Sequence, residues 1–325
     1  MPADTPSTSS STTSIVGDIG GTNARFARIA ADGSPQQILT LRCADYTGPA
    51  EALQAYLSRT QGPAPQAAAI GIANPLSGDR VQMTNHTWNF SIEAMRQQLG
   101  LARLQFLNDF TALALSLPWL GDNDRRQVGG GTAQTAYAIG VLGPGTGLGV
   151  SGLLPTANGY VPIEGEGGHV TLAGQNDEEL AVIAALTRVF PHVSAERVLS
   201  GPGIENLHRA LAQVRDVQAP QLSSPQITAH ATQGDDDLCI DAMSMFCALL
   251  GTQAANLALT LGARGGIYIG GGIAPLLGEF FIRSPFRKRF EDKGRFSAYL
   301  ADIPTWIITA SYPALIGTAA FLRAS

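Results

Sequence analysis

Charge is scarce in this chain of 325 residues. Asp, Glu, Lys and Arg together make up 14% of it, against roughly 25% in ordinary soluble proteins, and the only lysines are Lys288 and Lys293. That scarcity excludes a P-loop, which needs a Gly-Lys-Ser/Thr step, because Lys288 follows Arg287 and Lys293 follows Asp292. Cysteine is equally sparse. Cys43, Cys239 and Cys247 form neither a CxxC pair nor an even framework, so they are expected to be reduced, buried thiols of a cytoplasmic protein, and a zinc cluster is not expected. The most apolar stretch, Met243 to Leu261, is interrupted by Gln253 and Asn256, so no segment reads as a membrane span. The net charge is −5 and no basic run exceeds Arg287 to Arg289, which argues against nucleic acid or an anionic membrane as partner. Neither HExxH nor a nucleophile elbow occurs, nor a histidine pair at metal spacing.

What the chain has instead is glycine, 37 residues of it, above the usual ~7% share, and 45% apolar residues. The glycine excess and the scarcity of charge together indicate a compact, turn-rich α/β enzyme. Residues 1–14 carry nine Ser or Thr without the basic and apolar regions of a signal peptide, and residues 1–13 are expected to be a disordered tail. Strands are expected at Ser14 to Asp18, Arg25 to Ile29, Ile38 to Arg42, Ala67 to Ala73 and Leu104 to Leu107, with a short hairpin around Gly78-Asp79. Helical spacing predicts helices over Ala50 to Thr60 and over Ile92 to Leu99, the latter capped by Ser91, and another running from Asn108-Asp109 to Leu117.

The second half repeats this grammar. Tyr137 to Leu142 and Val150 to Leu154 read as strands around a glycine loop, Gly143 to Gly149. Helices follow at Asp177 to Val189, Gly203 to Val214 and Asp236 to Leu261. A strand at Gly266 to Ile269, a turn at Gly270-Gly271-Gly272 and a helix over Pro275 to Phe281 come next, before a last strand and helix at Pro304 to Thr309 and Ala314 to Leu322. Segments 121–135 and 215–235 read as variable loops.

Glycine turns between strands offer clustered backbone N–H groups, which suit phosphate oxygens. In the first turn, Gly17-Asp18-Ile19-Gly20-Gly21-Thr22-Asn23, a carboxylate stands at the strand end where it can hold Mg²⁺, and Thr22 adds a hydroxyl. Gly145-Thr146-Gly147 supplies a second set of donors. Taken singly, either turn is equally well a tight hairpin with glycine at positive φ. Gly147, Gly149 and Gly152 spell GxGxxG, but they lead into the apolar run Val150 to Leu154 rather than opening a helix, so a dinucleotide site lacks its context.

Asn108-Asp109 stands where a strand meets a helix, at the edge of an α/β sheet where ligands bind. Asp109 is either a helix cap or the carboxylate that phosphoryl transfer to an alcohol asks for. Glu164-Gly165-Glu166-Gly167-Gly168-His169 puts two carboxylates and an imidazole on one turn, which suits a polyol and also describes an exposed acidic turn. Glu196 follows Ser194 and alone reads as a charge placed at a helix start.

These residues resemble the bacterial-type glucokinase family, of the actin-like ATPase and sugar kinase superfamily. The tracts that carry the resemblance are residues 17–25, 83–88, 107–112, 145–150, 165–170, 192–203, 271–273 and 290–296, in order along the chain. The His-Thr-Trp tract and the Ser-Ala-Glu-Arg-Val-Leu-Ser-Gly-Pro-Gly tract are the most specific. The resemblance implies an α/β fold of two domains, the actin-like ATPase (ribonuclease H-like) fold, with a cleft between a small domain (14–119 plus 310–325) and a large one (120–309). It implies phosphorylation of D-glucose at O6 by ATP with Mg²⁺, usually in a homodimer. Asp109 would be the general base, and Asn108, Glu166, His169 and Glu196 would bind the other hydroxyls. Gly17, Asp18 and the Gly20, Gly21, Thr22, Asn23 turn, with Gly145, Thr146 and Gly147, would hold Mg²⁺ and the phosphates, Asp18 being the metal ligand. Gly271 and Gly272 would lie by the adenosine. Three alternatives share some of these features. A kinase of a neighbouring sugar differs only in substrate, although the related repressor and sugar-kinase branch with a cysteine-rich zinc motif cannot be built from three scattered cysteines. A sugar-responsive regulator would need a helix-turn-helix ahead of the first glycine loop, and an actin-like filament or chaperone ATPase would have no use for the polar groups at 108, 109, 166 and 169.

Overall fold

The computed structural model describes residues 13–84 and 86–324. The tail expected over 1–13 therefore lies, but for Thr13, outside the described residues. The chain divides into two compact units, one running to Trp119 and resuming at Tyr312, the other Leu120–Ser311.

In the first unit, β1 (Ser14–Ile19), β2 (Asn23–Ile29), β3 (Pro35–Arg42), α1 (Pro49–Arg59) and β4 (Ala67–Ile72) are followed by β5 (Arg80–Gln82), β6 (Asn89–Ser91), α2 (Ile92–Gln98), β7 (Arg103–Asn108) and α3 (Asp109–Ser116). The C-terminal helix, Pro313–Ala324, packs on α3. The sheet order is β3-β2-β1-β4-β7, and β1, β4 and β7 run parallel with Ile19, Ile72 and Asn108 in register at their C-terminal ends. Asp18 and Asn108 thus reach the same edge of one sheet, two strands apart. β4 reads Ala-Ala-Ala-Ile-Gly-Ile and is buried at every position, the signature of a central parallel strand. Phe26, Tyr56, Ile70 and Trp88 form the core on one face, and the Trp88 indole N–H donates to the Tyr46 carbonyl at 3.0 Å. Ser91 caps α2 as expected, accepting from the Ala94 N–H at 3.0 Å. Gly78-Asp79 is not the tip of the β5–β6 hairpin but precedes it: Asp79 accepts from the Ser91 hydroxyl and the Glu93 N–H, pinning the start of α2.

In the second unit, β8 (Arg125–Val128), β9 (Ile139–Pro144), β10 (Leu148–Thr156) and β11 (Gly159–Ile163) lead to α4 (Asp177–Leu186), α5 (Gly201–Val214), α6 (Ser224–Gln233) and α7 (Asp237–Leu261). Then come β12 (Ile267–Ile269), α8 (Ile273–Leu277), α9 (Glu279–Arg283), α10 (Phe286–Glu291), α11 (Ser297–Ala301) and β13 (Thr305–Ile308). The sheet order is β11-β10-β9-β12-β13-β8. Segments 121–135 and 215–235, expected to be loops, contain β8 and α6, so that expectation is corrected. β8 is held by pairing with β13, nearly 180 residues away. The helix expected over Pro275 to Phe281 is broken in two at Gly278, which has φ +51°. Among the described residues α7 alone is long and apolar enough to cross a membrane, but it is the core helix of this unit and mostly buried, Gln253 included. All three cysteines are free and buried as expected, and burial pushes the Cys239 and Cys247 thiols up to about 12.

Candidate active site

Each glycine turn is closed by one backbone hydrogen bond from its first glycine. In the first, the Gly20 N–H donates to the Asn23 carbonyl at 2.9 Å, which closes the turn. In the second, the Gly145 N–H donates to the Gly147 carbonyl at 2.8 Å. The opening glycine of each turn therefore spends its donor internally. The N–H groups at the tip, those of Gly21 and Thr22 in one and of Thr146 and Gly147 in the other, have no acceptor among the described residues. The second loop is shorter than expected, because Gly143 and Pro144 end β9 while Leu148 and Gly149 begin β10. Gly17 lies inside β1, where a Cβ would stand 2.9 Å from the Phe26 ring, so its glycine serves strand packing rather than the turn.

Asp18 faces Arg25 across the β1–β2 pair, with Oδ2 at 3.1 Å from the guanidinium and the carboxylate 22% exposed. Burial lifts its pKa above the ordinary value, and the Arg25 charge offsets only part of that. A buried carboxylate pushed toward its neutral form is one that a cation would stabilise. Among the described residues no group of three or more His, Cys, Asp or Glu could hold a metal ion. Asp18 offers a single carboxylate, and Mg²⁺ is a cation that takes one or two carboxylates and completes its shell with phosphate oxygens and water.

At the β7–α3 junction the helix cap is Asn108, not Asp109. Its Oδ1 accepts from the N–H groups of Phe110, at 2.9 Å, and Thr111, at 3.3 Å. This leaves the Asn108 amide as a donor and puts Asp109 at the first helical position, its Oδ1 2.9 Å from the Phe110 N–H.

The second unit gathers the other predicted groups. Glu166 is exposed at the start of the short 3-10 turn Gly167–His169, and His169 is exposed at its end. Gly167 and Gly168 are there because β10 runs beneath: a Cβ would strike the Val150 side chain in one case and the Leu148 carbonyl in the other. The turn packs against a second 3-10 turn, Ala195–Arg197, through Ala195 N–H to Val170 O at 2.9 Å and Leu172 N–H to Val193 O at 3.0 Å. Glu166, His169 and Glu196 are thereby neighbours in the fold. Glu196 does not simply balance a helix start, since its Oε2 accepts from the Leu148 N–H at 2.9 Å, one residue beyond Gly147. Gly271, at φ +74°, lies against the Pro144 carbonyl where β9 enters the loop, and Gly272 caps α8.

Two further contributors show in the sequence only as local structure. Ser200 caps α5 by accepting from Gly203 N–H at 3.1 Å, while the Gly201 N–H donates to the Gly145 carbonyl at 2.8 Å; Ser-Gly-Pro-Gly is a helix start with Pro in the first turn. Asn74, buried just after β4, accepts from both the N–H and hydroxyl of Thr84 at 2.9 Å, fixing the loop after β5.

A family model described as Glucokinase matches residues 15–325. The chain belongs to the glucokinase family. A glucokinase of Aromatoleum aromaticum is 57% identical over 310 residues, which are 95% of this chain and 94% of that protein. The crystal structure of a glucokinase from an Antarctic psychrotroph matches with a TM-score of 0.89 at 37% identity, covering 97% of this chain and 99% of the other. A glucokinase of the ROK family from Streptomyces griseus, solved with glucose and AMPPNP, shares the fold at 19% identity with a TM-score of 0.66, over 96% and 100% of the two chains. The fold is accordingly the two-domain actin-like ATPase fold of the glucokinases and ROK sugar kinases. The activity is that of the glucokinase family, ATP-dependent phosphorylation of glucose.

Proposed function

We propose that transfer goes to O6 of D-glucose, with Asp109 as the general base. The observation that carries this is the division of labour at the β7–α3 junction: Asn108 caps the helix, so Asp109 is not needed as its cap. Asp109 takes the C6 hydroxyl proton as O6 attacks the γ-phosphorus of ATP; the O6–P bond forms, the bond to the β–γ bridging oxygen breaks, and ADP leaves. Such a base contributes roughly 10²–10⁴-fold. The Asn108 amide, Glu166, His169 and Glu196 bind the remaining hydroxyls. The tip N–H groups of Gly21, Thr22, Thr146 and Gly147 carry the phosphates, donors aimed where charge accumulates. Gly271 and Gly272 border the adenosine.

Asp18 would hold Mg²⁺, which when bound neutralises phosphate charge. The same reading makes the protein a cytoplasmic homodimer with no nucleic acid or membrane partner, in keeping with its net charge of −5. The small domain comprises 14–119 with the C-terminal helix, and the large one the middle of the chain.

The test is Asp109→Asn. The amide still binds the hydroxyl but cannot take its proton, so kcat should collapse while the glucose Kd stays within a few-fold. An unchanged kcat overturns the assignment. Initial rates of ADP formation with glucose, mannose, fructose and N-acetylglucosamine, compared as kcat/KM, test the substrate; a kinase of a neighbouring sugar would prefer one of the other three.

A further inference from the structure

The loop Gly145–Gly147 is tied down at both ends by a single segment, residues 196–201. At its start the Gly145 carbonyl accepts from the Gly201 N–H, 2.8 Å. At its end the Leu148 N–H donates to Oε2 of Glu196, 2.9 Å. Glu196 is itself braced, because its carbonyl accepts from the Ser200 hydroxyl at 2.7 Å. The carboxylate also accounts for a glycine: a Cβ on Gly147 would run into Glu196 Oε2. The loop tip and the carboxylate are thus in van der Waals contact, and neither can move far without the other.

Only one of the two carboxylate oxygens is used. Oε1 of Glu196 has no partner among the described residues, and the half-buried side chain stands beside the turn that carries Glu166 and His169. We infer that Glu196 is a positioning residue for the phosphate loop as well as a sugar ligand, one oxygen on the loop and the other on a glucose hydroxyl. This rests on the reading of Glu196 as a sugar-binding residue given above. A charge-assisted bond to Leu148 then holds Thr146 and Gly147 in the geometry that presents their N–H groups. Glucose, by fixing the other oxygen, fixes that geometry further, so each ligand improves the binding of the other through this one side chain. Linkage makes the effect reciprocal.

The experiment reads each substitution on the ligand it does not touch. For Glu196→Ala, the Kd of AMPPNP is measured by calorimetry with no sugar present. For Gly147→Ala, the Kd of glucose is measured with no nucleotide present. Losing the bond to a charged acceptor should weaken AMPPNP on the order of tenfold, although no sugar is there to be lost. Gly147→Ala, by displacing the carboxylate, should weaken glucose at least several-fold, since the three atoms nearest a Cβ there all belong to Glu196. Glu196→Gln keeps an acceptor for Leu148 and should restore AMPPNP binding, which separates the bond from a general loss of packing.

An AMPPNP Kd that is unchanged or tighter in Glu196→Ala overturns the inference, as does an unchanged glucose Kd in Gly147→Ala. Failure of the underlying reading looks different. In that case Glu196→Ala binds glucose normally while AMPPNP still weakens, which leaves a loop anchor that is not a sugar ligand. Thermal melts of both variants confirm folding, and since the two substitutions lie on different segments, either one decides the matter alone if the other fails to fold.

Discussion

Gly317 of the C-terminal helix lies directly against the carbonyl oxygen of Ala112 on α3, so closely that a Cβ at 317 would overlap it and also come within 3.0 Å of the Ser116 nitrogen. The last helix of the chain and the helix that begins with Asp109 are therefore seated backbone to backbone. Gly71 of β4 meets the same residue, with a Cβ position 3.2 Å from Ala112 Cβ. Small residues on three elements set where Asn108 and Asp109 stand at the sheet edge.

Gly317→Ala should consequently act on catalysis from a distance. Overpacking of this kind costs about 1–3 kcal/mol, and a displacement of about 1 Å at a reacting group costs about 10²-fold in rate. The expected result is a lower Tm together with a fall in kcat of roughly ten- to a hundred-fold, larger than any change in AMPPNP affinity. Wild-type Tm and kcat would show that α3 does not depend on this contact.

Asp18 should trade stability for function. Burial raises its folded-state pKa above the unfolded value despite Arg25, so the fold favours the neutral acid. Its stabilising contribution is complete below the unfolded pKa of about 3.9 and is lost as pH rises through the folded value. At pH 7 the charged carboxylate is a burden, and Asp18→Asn should melt higher than wild type while losing most of its activity. The gain should shrink as the pH is lowered toward 4. A lower Tm for the variant at pH 7 would mean that the Arg25 pair outweighs burial.

The elements nearest the candidate site were legible because local chemistry dictates them. Gly20 to Asn23 must turn, β4 is apolar throughout and so must be buried, and Ser91 stands at a helix start as a side-chain acceptor, whereas at the β7–α3 junction the cap expected at Asp109 falls on Asn108. What was not legible depends on distant partners or weak patterns. β8 reads Arg-Arg-Gln-Val and becomes a strand only through β13. α6 buries little beyond Ile227 and Ala231, one helical turn apart, although its capping box at Ser223 and Gln226 was a signal in the sequence. The Leu148 bond of Glu196 joins positions 48 residues apart, and no spacing rule announces it.

His208 should make the second unit sensitive to acid. It lies on α5, the helix that starts at the Gly145 carbonyl, is 1% exposed, and its Nε2 has no partner among the described residues. Burial lowers its pKa; Asp236 opposes this and Arg209 adds to it. A depressed folded value means that stability is full above the unfolded pKa of about 6.5 and falls as pH drops through the folded one. Wild type should lose more Tm between pH 7.5 and 5.5 than His208→Leu, which removes both the titration and the orphaned nitrogen. Parallel losses in the two proteins would place the acid sensitivity elsewhere.

Arg289 of α10 and Glu179 of α4 form a two-pronged pair at 2.6 and 3.0 Å, with Glu179 2% and Arg289 14% exposed. Glu179 also accepts from the Gln175 N–H at 2.8 Å, and Arg289 lies 3.4 Å from the Thr252 hydroxyl on α7. Breaking such a pair from one side strands a buried charge, which costs about 3–5 kcal/mol, whereas replacing both partners with apolar residues of similar volume is often neutral. Glu179→Met and Arg289→Met should each lower the urea midpoint strongly, and the double variant should recover most of the loss. Neither side chain is hydrogen-bonded to the Gly145–Gly147 loop or to Glu196, so kcat per folded molecule should hold in all three. Additive losses in the double variant would mean that these side chains stabilise the unit by their packing and separate hydrogen bonds rather than by meeting each other.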